Sequence, residues 1–203
     1  MNCLAHAWLA HRRGESVVGN LLGDFVRGDP EGHYHGALLQ GIRVHRAIDA
    51  YTDDHPVVHR SRARLPPPYR RWGGVLVDVF YDHYLASGWT LFADVPLRAF
   101  ADGVYSSLGR HRGELPERMR GFADYMARTD LLVSYATVEG IDRALTGLSR
   151  RVRRENPLAD ASGEFARLHG VLRGDFEAFF PELLDEFRAG RDSLATRRPR
   201  RYP

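Results

Sequence analysis

The stretch Gly41-Ile42-Arg43-Val44-His45-Arg46-Ala47-Ile48-Asp49-Ala50-Tyr51-Thr52-Asp53 decides the class of fold. Ile42, His45, Ile48 and Asp49 recur at spacings of three and four, and Leu38 and Leu39 extend the series backwards. That is the period at which a helix shows one face. A strand would alternate every second residue, and the chain holds neither sustained alternation nor a hairpin signal. The segment therefore predicts a helix starting near His35. Within it, His45 and Asp49 stand four residues apart, as do Asp49 and Asp53, so each pair points the same way. Ile42 and Ile48 lie beside them, and an acidic group facing a core is costly unless paired or metal-bound. An ordinary ion pair along the helix surface is the competing explanation for His45 and Asp49.

Helical signals continue on both sides. Ser16 is placed to cap a helix through Val17, Val18, Leu21, Leu22, Phe25 and Val26, with Gly28 as its stop. Pro56 opens a short helix to Arg64, or ends the preceding region. After the rigid connector Leu65-Pro66-Pro67-Pro68, Tyr69 to Ser87 reads as one long helix ended by Gly88. Further helices start near Pro96, Pro116, Thr137 and Pro157. From Gly163 to Arg188, the residues Phe165, Leu168, Val171, Leu172, Phe176, Phe179 and Phe180 form an apolar face, with Pro181 as a possible break. No repeat or linker divides the chain. The expectation is an all-α, single-domain helical bundle over residues 1–190. Residues 191–203 form an Arg/Pro-rich tail, expected to be disordered.

The 203 residues, 43% of them hydrophobic, are enough for one sizeable core. No apolar run approaches the roughly 18 residues of a spanning helix, and the opening Met1-Asn2-Cys3-Leu4-Ala5-His6 lacks the basic region of a signal peptide. The single cysteine, Cys3, excludes an internal disulfide and a cysteine-based zinc site. These features fit a cytoplasmic protein with no membrane contact. The net charge is +3, and every basic side chain other than histidine is arginine, with no lysine at all. Coding bias and an acidic partner are both compatible with that.

The histidines and aspartates are unevenly placed. His6, His11, His33, His35, His45, His55, His59 and His83 all fall in the first 83 residues, together with Asp24, Asp29, Asp49, Asp53, Asp54, Asp78 and Asp82. Imidazole and carboxylate together bind divalent metals. Asp78 and Asp82 repeat the four-residue spacing, with His83 adjacent and Val79 and Phe80 as apolar neighbours. A bridge from Asp82 to Arg43 or Arg46 is the alternative. The phosphate loop of the Walker type, the dinucleotide fingerprint, the nucleophile elbow and the His-Glu-x-x-His zinc helix are all missing from the sequence. Cys3, read as lying at a frayed terminus, makes a poor nucleophile.

Four blocks give these residues a context: Met1-Asn2-x-Leu4-Ala5-His6-x-x-Leu9-Ala10; Gly19-Asn20-Leu21-Leu22-Gly23-Asp24-Phe25-Val26-Arg27-Gly28; Gly41-Ile42-x-x-His45-Arg46-x-Ile48-Asp49-x-x-Thr52-Asp53; and Asp78-Val79-x-x-Asp82-His83-x-Leu85. In this order they resemble the acyl carrier protein phosphodiesterase family, over about the first 90 residues. The resemblance implies an HD-domain-like helical enzyme, a divergent relative of HD-type phosphohydrolases, that works with a divalent metal. Manganese is the first expectation; magnesium, iron and cobalt are the others. The adjacent pair reads Asp82-His83 rather than His-Asp, so ligands do not transfer from ordinary HD signatures one by one.

The reaction so implied is hydrolysis of the phosphodiester between 4′-phosphopantetheine and a serine of acyl carrier protein. On that basis His6, Asp24, His45, Asp49, Asp82 and His83 are the expected metal ligands or their immediate supports, with Asp53 and Asp78 orienting imidazoles behind them. His45 or His83 would protonate the leaving serine oxygen, and Arg27 and Arg46 would hold phosphate oxygens. An acidic carrier protein would be steered by arginine, through the cluster Arg60, Arg62, Arg64, Arg70 and Arg71 or through Arg150, Arg151, Arg153 and Arg154. Two other readings compete: an HD-like hydrolase acting on a nucleotide, and a non-enzymatic arginine-rich module binding nucleic acid. Unmetallated carboxylates would repel phosphate, which weighs against the second.

Overall fold

The computed structural model describes residues 1–188; the tail expected over 191–203 lies outside the described residues. Among the described residues there are ten α-helices and no strand. They are α1 (Cys3–Arg12), α2 (Val17–Leu22), α3 (Gly36–Asp54), α4 (Pro56–Ala63), α5 (Gly73–Ser87), α6 (Leu97–Arg110), α7 (Glu117–Thr129), α8 (Leu131–Ser134), α9 (Val138–Arg151) and α10 (Ser162–Glu186). No helix here is long and apolar enough to cross a membrane.

Sequence reasoning foresaw neither the one-turn α8 nor, more consequentially, α1. Every residue from Cys3 to Ala10 is buried, so Cys3 belongs to a core helix rather than to a frayed end. A helix apolar on all sides shows no period, because it needs no polar face when other helices surround it. It packs against α2, α3 and α5. Its first four N–H groups, which lack partners within the helix, are all satisfied. Cys3 N–H donates to the Asn2 side chain at 2.8 Å and His6 N–H to the Asn2 carbonyl at 3.2 Å. Leu4 and Ala5 N–H donate to the two oxygens of Asp82 at 2.7 and 3.1 Å.

The Ser16 cap is present, its hydroxyl accepting from Gly19 N–H at 2.9 Å. The helix it opens stops at Leu22 and tightens into a 3-10 turn, Gly23–Phe25. Likewise, Tyr69–Trp72 is a 3-10 turn, and α5 begins only at Gly73. The last helix does not break at Pro181 but runs on to Glu186. Phe179, Phe180 and Leu183 are fully buried on either side of the proline, and burying each contributes about 1.5–3 kcal/mol, enough to outweigh one lost helical hydrogen bond. The approach of α2 to α3 depends on Gly41: a Cβ there would lie 2.6 Å from Asn20 N and 2.7 Å from the Gly19 backbone. This contact sets Asn20 and Asp24, just past the end of α2, against the His45 face of α3.

Candidate metal centre

Three elements contribute to one group of donors. His6 comes from α1, Asp24 from the 3-10 turn after α2, and His45 and Asp49 from α3. Asp49 is the hub. Its Oδ1 lies 3.1 Å from His6 Nε2 and its Oδ2 3.1 Å from His45 Nε2. Asp24 Oδ1 lies 3.5 Å from the same His45 nitrogen. The two imidazoles stack with centroids 4.1 Å apart, and one ligand atom from each of His6, His45 and Asp49 falls within 4.8 Å of the others. Nitrogen and oxygen donors bound about 2.1 Å from one ion sit about 3.0–3.4 Å from each other, so the spacing suits a divalent cation. Both imidazoles are buried, whereas the side chains of Asp24 and Asp49 are 56% and 44% exposed, leaving the group open on one side.

The electrostatics point the same way. Burial pushes His6 down from its ordinary value, helped by its neighbour His45. Burial alone would also raise both carboxyls, yet the imidazoles outweigh it, holding Asp24 low and Asp49 well below the carboxylate range. The carboxylates in turn overcome the burial of His45 and pull it up to about 9. Two carboxylates thus demand a positive charge at this spot. A bound divalent cation meets that demand with both histidines neutral.

Asn20 and Gly23 belong to the site although the sequence reading gave them no role. Asn20, fully buried, has its Oδ1 3.1 Å from His6 Nδ1 and fixes that ring. Its signal was the four-residue spacing to Asp24. Gly23 lies under His45, where a Cβ would fall 2.3 Å from the ring. Gly23→Ala is therefore expected to displace His45 and lower kcat/KM about 10–100-fold with the helical content kept. Steady-state rates beside circular dichroism check this, and unchanged kinetics would show that the ring position is not critical.

The other residues named from the sequence lie elsewhere. Asp82 is fully buried with both oxygens on the α1 backbone; burial raises it to about 7, against the pull of those N–H groups and of the Met1 amino group. His83 Nδ1 bonds the Tyr135 carbonyl at 2.8 Å, and its ring faces Phe165 and His169. Neither falls in the donor group. Asp78 takes the Met1 amino group at 3.0 Å and Asp53 the Arg62 guanidinium at 2.6 Å, so neither orients an imidazole of the cluster. Arg46 donates to the carbonyls of Val26 and Gly28 at 3.1 and 2.7 Å, bracing the loop after Asp24. Arg43 pairs with Glu31, so neither arginine bridges to Asp82. Arg27 is exposed at the mouth of a groove beside Phe25. Of the first arginine cluster, Arg60 and Arg64 are taken up by the buried Asp175, and Arg70 caps the carbonyls of Leu65 and Ala63.

The sequence model for acyl carrier protein phosphodiesterase matches residues 1–183. A protein of Photorhabdus laumondii named acyl carrier protein phosphodiesterase is 33% identical over 187 residues, covering 92% of this chain and 94% of its own. One of the same name from Salmonella agona is 34% identical over 185 residues, covering 91% of this chain and 96% of its own. No solved structure matches the chain. The match to the family's model, spanning all ten helices but the last few residues of α10, shows that this chain belongs to the acyl carrier protein phosphodiesterase family.

Proposed function

We propose that the chain hydrolyses the phosphodiester joining 4′-phosphopantetheine to a serine of holo acyl carrier protein, releasing the apo carrier and free 4′-phosphopantetheine. The observation that carries this is the convergence of His6, Asp24, His45 and Asp49, from three separate elements, in a chain of this family. His6, His45 and Asp49 would hold a divalent metal, with manganese the first candidate, and Asp24 would complete the set or bond a water beside it. When bound, such an ion polarises a phosphoryl oxygen and lowers the pKa of a coordinated water.

The protein's own groups do the rest. Asn20 holds the His6 ring in one orientation, as partners behind metal-ligating histidines do. Gly23 leaves room for the His45 ring. Asp24, exposed and 3.5 Å from His45 Nε2, would accept a hydrogen bond from the attacking water and align it. His45 is assigned to ion binding because its Nε2 faces both carboxylates. His83, turned to the Tyr135 carbonyl, is not placed to deliver a proton here. A cytoplasmic setting and kinship with the HD-type hydrolases are parts of the same proposal.

The test is conversion of holo to apo carrier protein followed by mass spectrometry. Manganese should support it, chelation should abolish it, and added manganese should restore it. An intact holo carrier alongside turnover of a nucleotide panel would replace this reading with the nucleotide one.

A further inference from the structure

One set of arginines is not used by the fold. Arg27, Arg118, Arg151 and Arg153 line a groove with Phe25 and Phe122, and all four are exposed. Among the described residues none of the four forms an ion pair, in contrast to Arg60, Arg62, Arg64, Arg98, Arg112 and Arg167, each of which is matched to a carboxylate. They come from three parts of the chain: the loop after Asp24, the start of α7, and the end of α9 with the residues that follow it. Arg151 lies over Phe122 and Tyr125, its guanidinium carbon 5.0 and 4.8 Å from their centroids, contacts that favour this position of the side chain. Four like charges with no counter-charge repel one another. They are stabilised by an anionic partner, and guanidinium groups suit carboxylates in particular.

The groove shares walls with a cavity that meets the candidate metal centre at Asp24. Phe25, Phe122 and Arg151 line both, and the cavity holds about 280 Å³. Its other walls include Val75, Leu131 and Leu148. The charged groove thus adjoins a cavity of mixed polar and apolar walls, Asp78 and Tyr135 among them, that borders a metal-site carboxylate.

We propose that this arginine groove is the docking surface for the acidic face of the holo carrier protein, and that the carrier's prosthetic arm reaches Asp24 through the cavity. The proposal rests on the phosphodiesterase reading above and adds where the macromolecular substrate sits. The groove, not the tri-proline arginines, then confers recognition.

The experiment measures initial rates across a range of holo carrier concentrations for the wild type, Arg118→Glu, Arg153→Glu and the double variant. Arg12→Glu, at the opposite end of α1 from the cavity, serves as a control whose charge change equals that of each single variant. The expected result is a KM raised about tenfold or more in the double variant, kcat within about twofold, and a weaker dependence of KM on salt. Thermal unfolding should be unchanged, and Arg12→Glu should match the wild type. A double variant with wild-type KM, or an equal rise in Arg12→Glu, overturns the docking surface and leaves the phosphodiesterase reading standing. Loss of RNA binding in the double variant with no change for the carrier overturns it in favour of a nucleic-acid surface. A wild type that leaves holo carrier intact brings down both readings, which separates that failure from the first.

Discussion

Asp49→Ala is expected to lower holo-to-apo conversion about a thousandfold or more and to abolish stoichiometric metal binding, with the fold retained. The reason is geometric. Each oxygen of Asp49 faces a different imidazole, at 3.1 Å in both cases, so this one side chain joins the contribution of α1 to that of α3. Without it, His6 and His45 remain stacked at 4.1 Å with only Asp24, on the His45 side, to offset an ion's charge, and two neutral imidazoles hold a divalent ion far less firmly than they do with a carboxylate between them. Asp49→Asn tests charge separately from shape, and should lose nearly as much because an amide does not neutralise a divalent ion. Stability should fall by about 1–3 kcal/mol, because truncation leaves the buried His6 without its partner at Nε2, although the Asp49 side chain is itself 44% exposed and alanine favours a helix interior. Metal analysis, single-turnover rates and urea unfolding on the same preparations check all three claims. Near-normal turnover, or a full metal complement in the variant, would remove Asp49 from the centre and the centre from the mechanism.

Much of the architecture was legible because most helices here are amphipathic or punctuated. Ser16, Thr137, Pro96 and Pro116 mark helix starts as their chemistry requires, and α3 shows its buried face at the helical period. What escaped was α1, where complete burial removes the periodicity, the one-turn α8, and the tightening after Leu22 and before Gly73, which depends on contacts between helices. The site divides along a similar line. His45 and Asp49 stand together on one helix, so spacing alone joins them. His6 and Asp24 come from other elements; they stood among the clustered histidines and aspartates, but only the family resemblance singled them out. Asp82 and His83 illustrate the opposite case. They sit on an apolar helix with the same spacing logic, yet a buried carboxylate that caps a helix and one that holds a metal leave the same trace in a sequence, because both are acidic groups among apolar neighbours. Only the positions of the α1 N–H groups distinguish them. The arginines show the same limit: clusters along the chain do not reveal which guanidinium groups already have carboxylate partners.

Asp82→Ala is expected to destabilise the fold by about 3–4 kcal/mol, more than the loss of any single exposed ion pair. Leu4 and Ala5 are fully buried, and their N–H groups have no acceptor but Asp82 at 2.7 and 3.1 Å. Truncation leaves both donors unsatisfied and removes the negative charge from the α1 N-terminus, where the helix dipole favours it. Asp82→Asn keeps one acceptor and should lose about half as much near neutral pH. The two variants also separate by pH. Burial raises the Asp82 carboxyl to about 7 in the folded chain, against an unfolded value of about 3.9. The folded state therefore holds the extra proton between those limits, and this group's contribution to stability falls as pH rises from about 4 to about 7, then levels off. The stability difference between wild type and Asp82→Asn should follow that course, which urea unfolding at successive pH values will trace. Because α1 also carries His6, partial loss of its N-terminal hydrogen bonds should weaken metal binding at temperatures below unfolding, an effect that a direct ligand would produce without any loss of stability. If Asp82→Ala unfolds within about 1 kcal/mol of wild type yet has lost its metal, Asp82 is a ligand and the helix-capping role assigned to it is wrong.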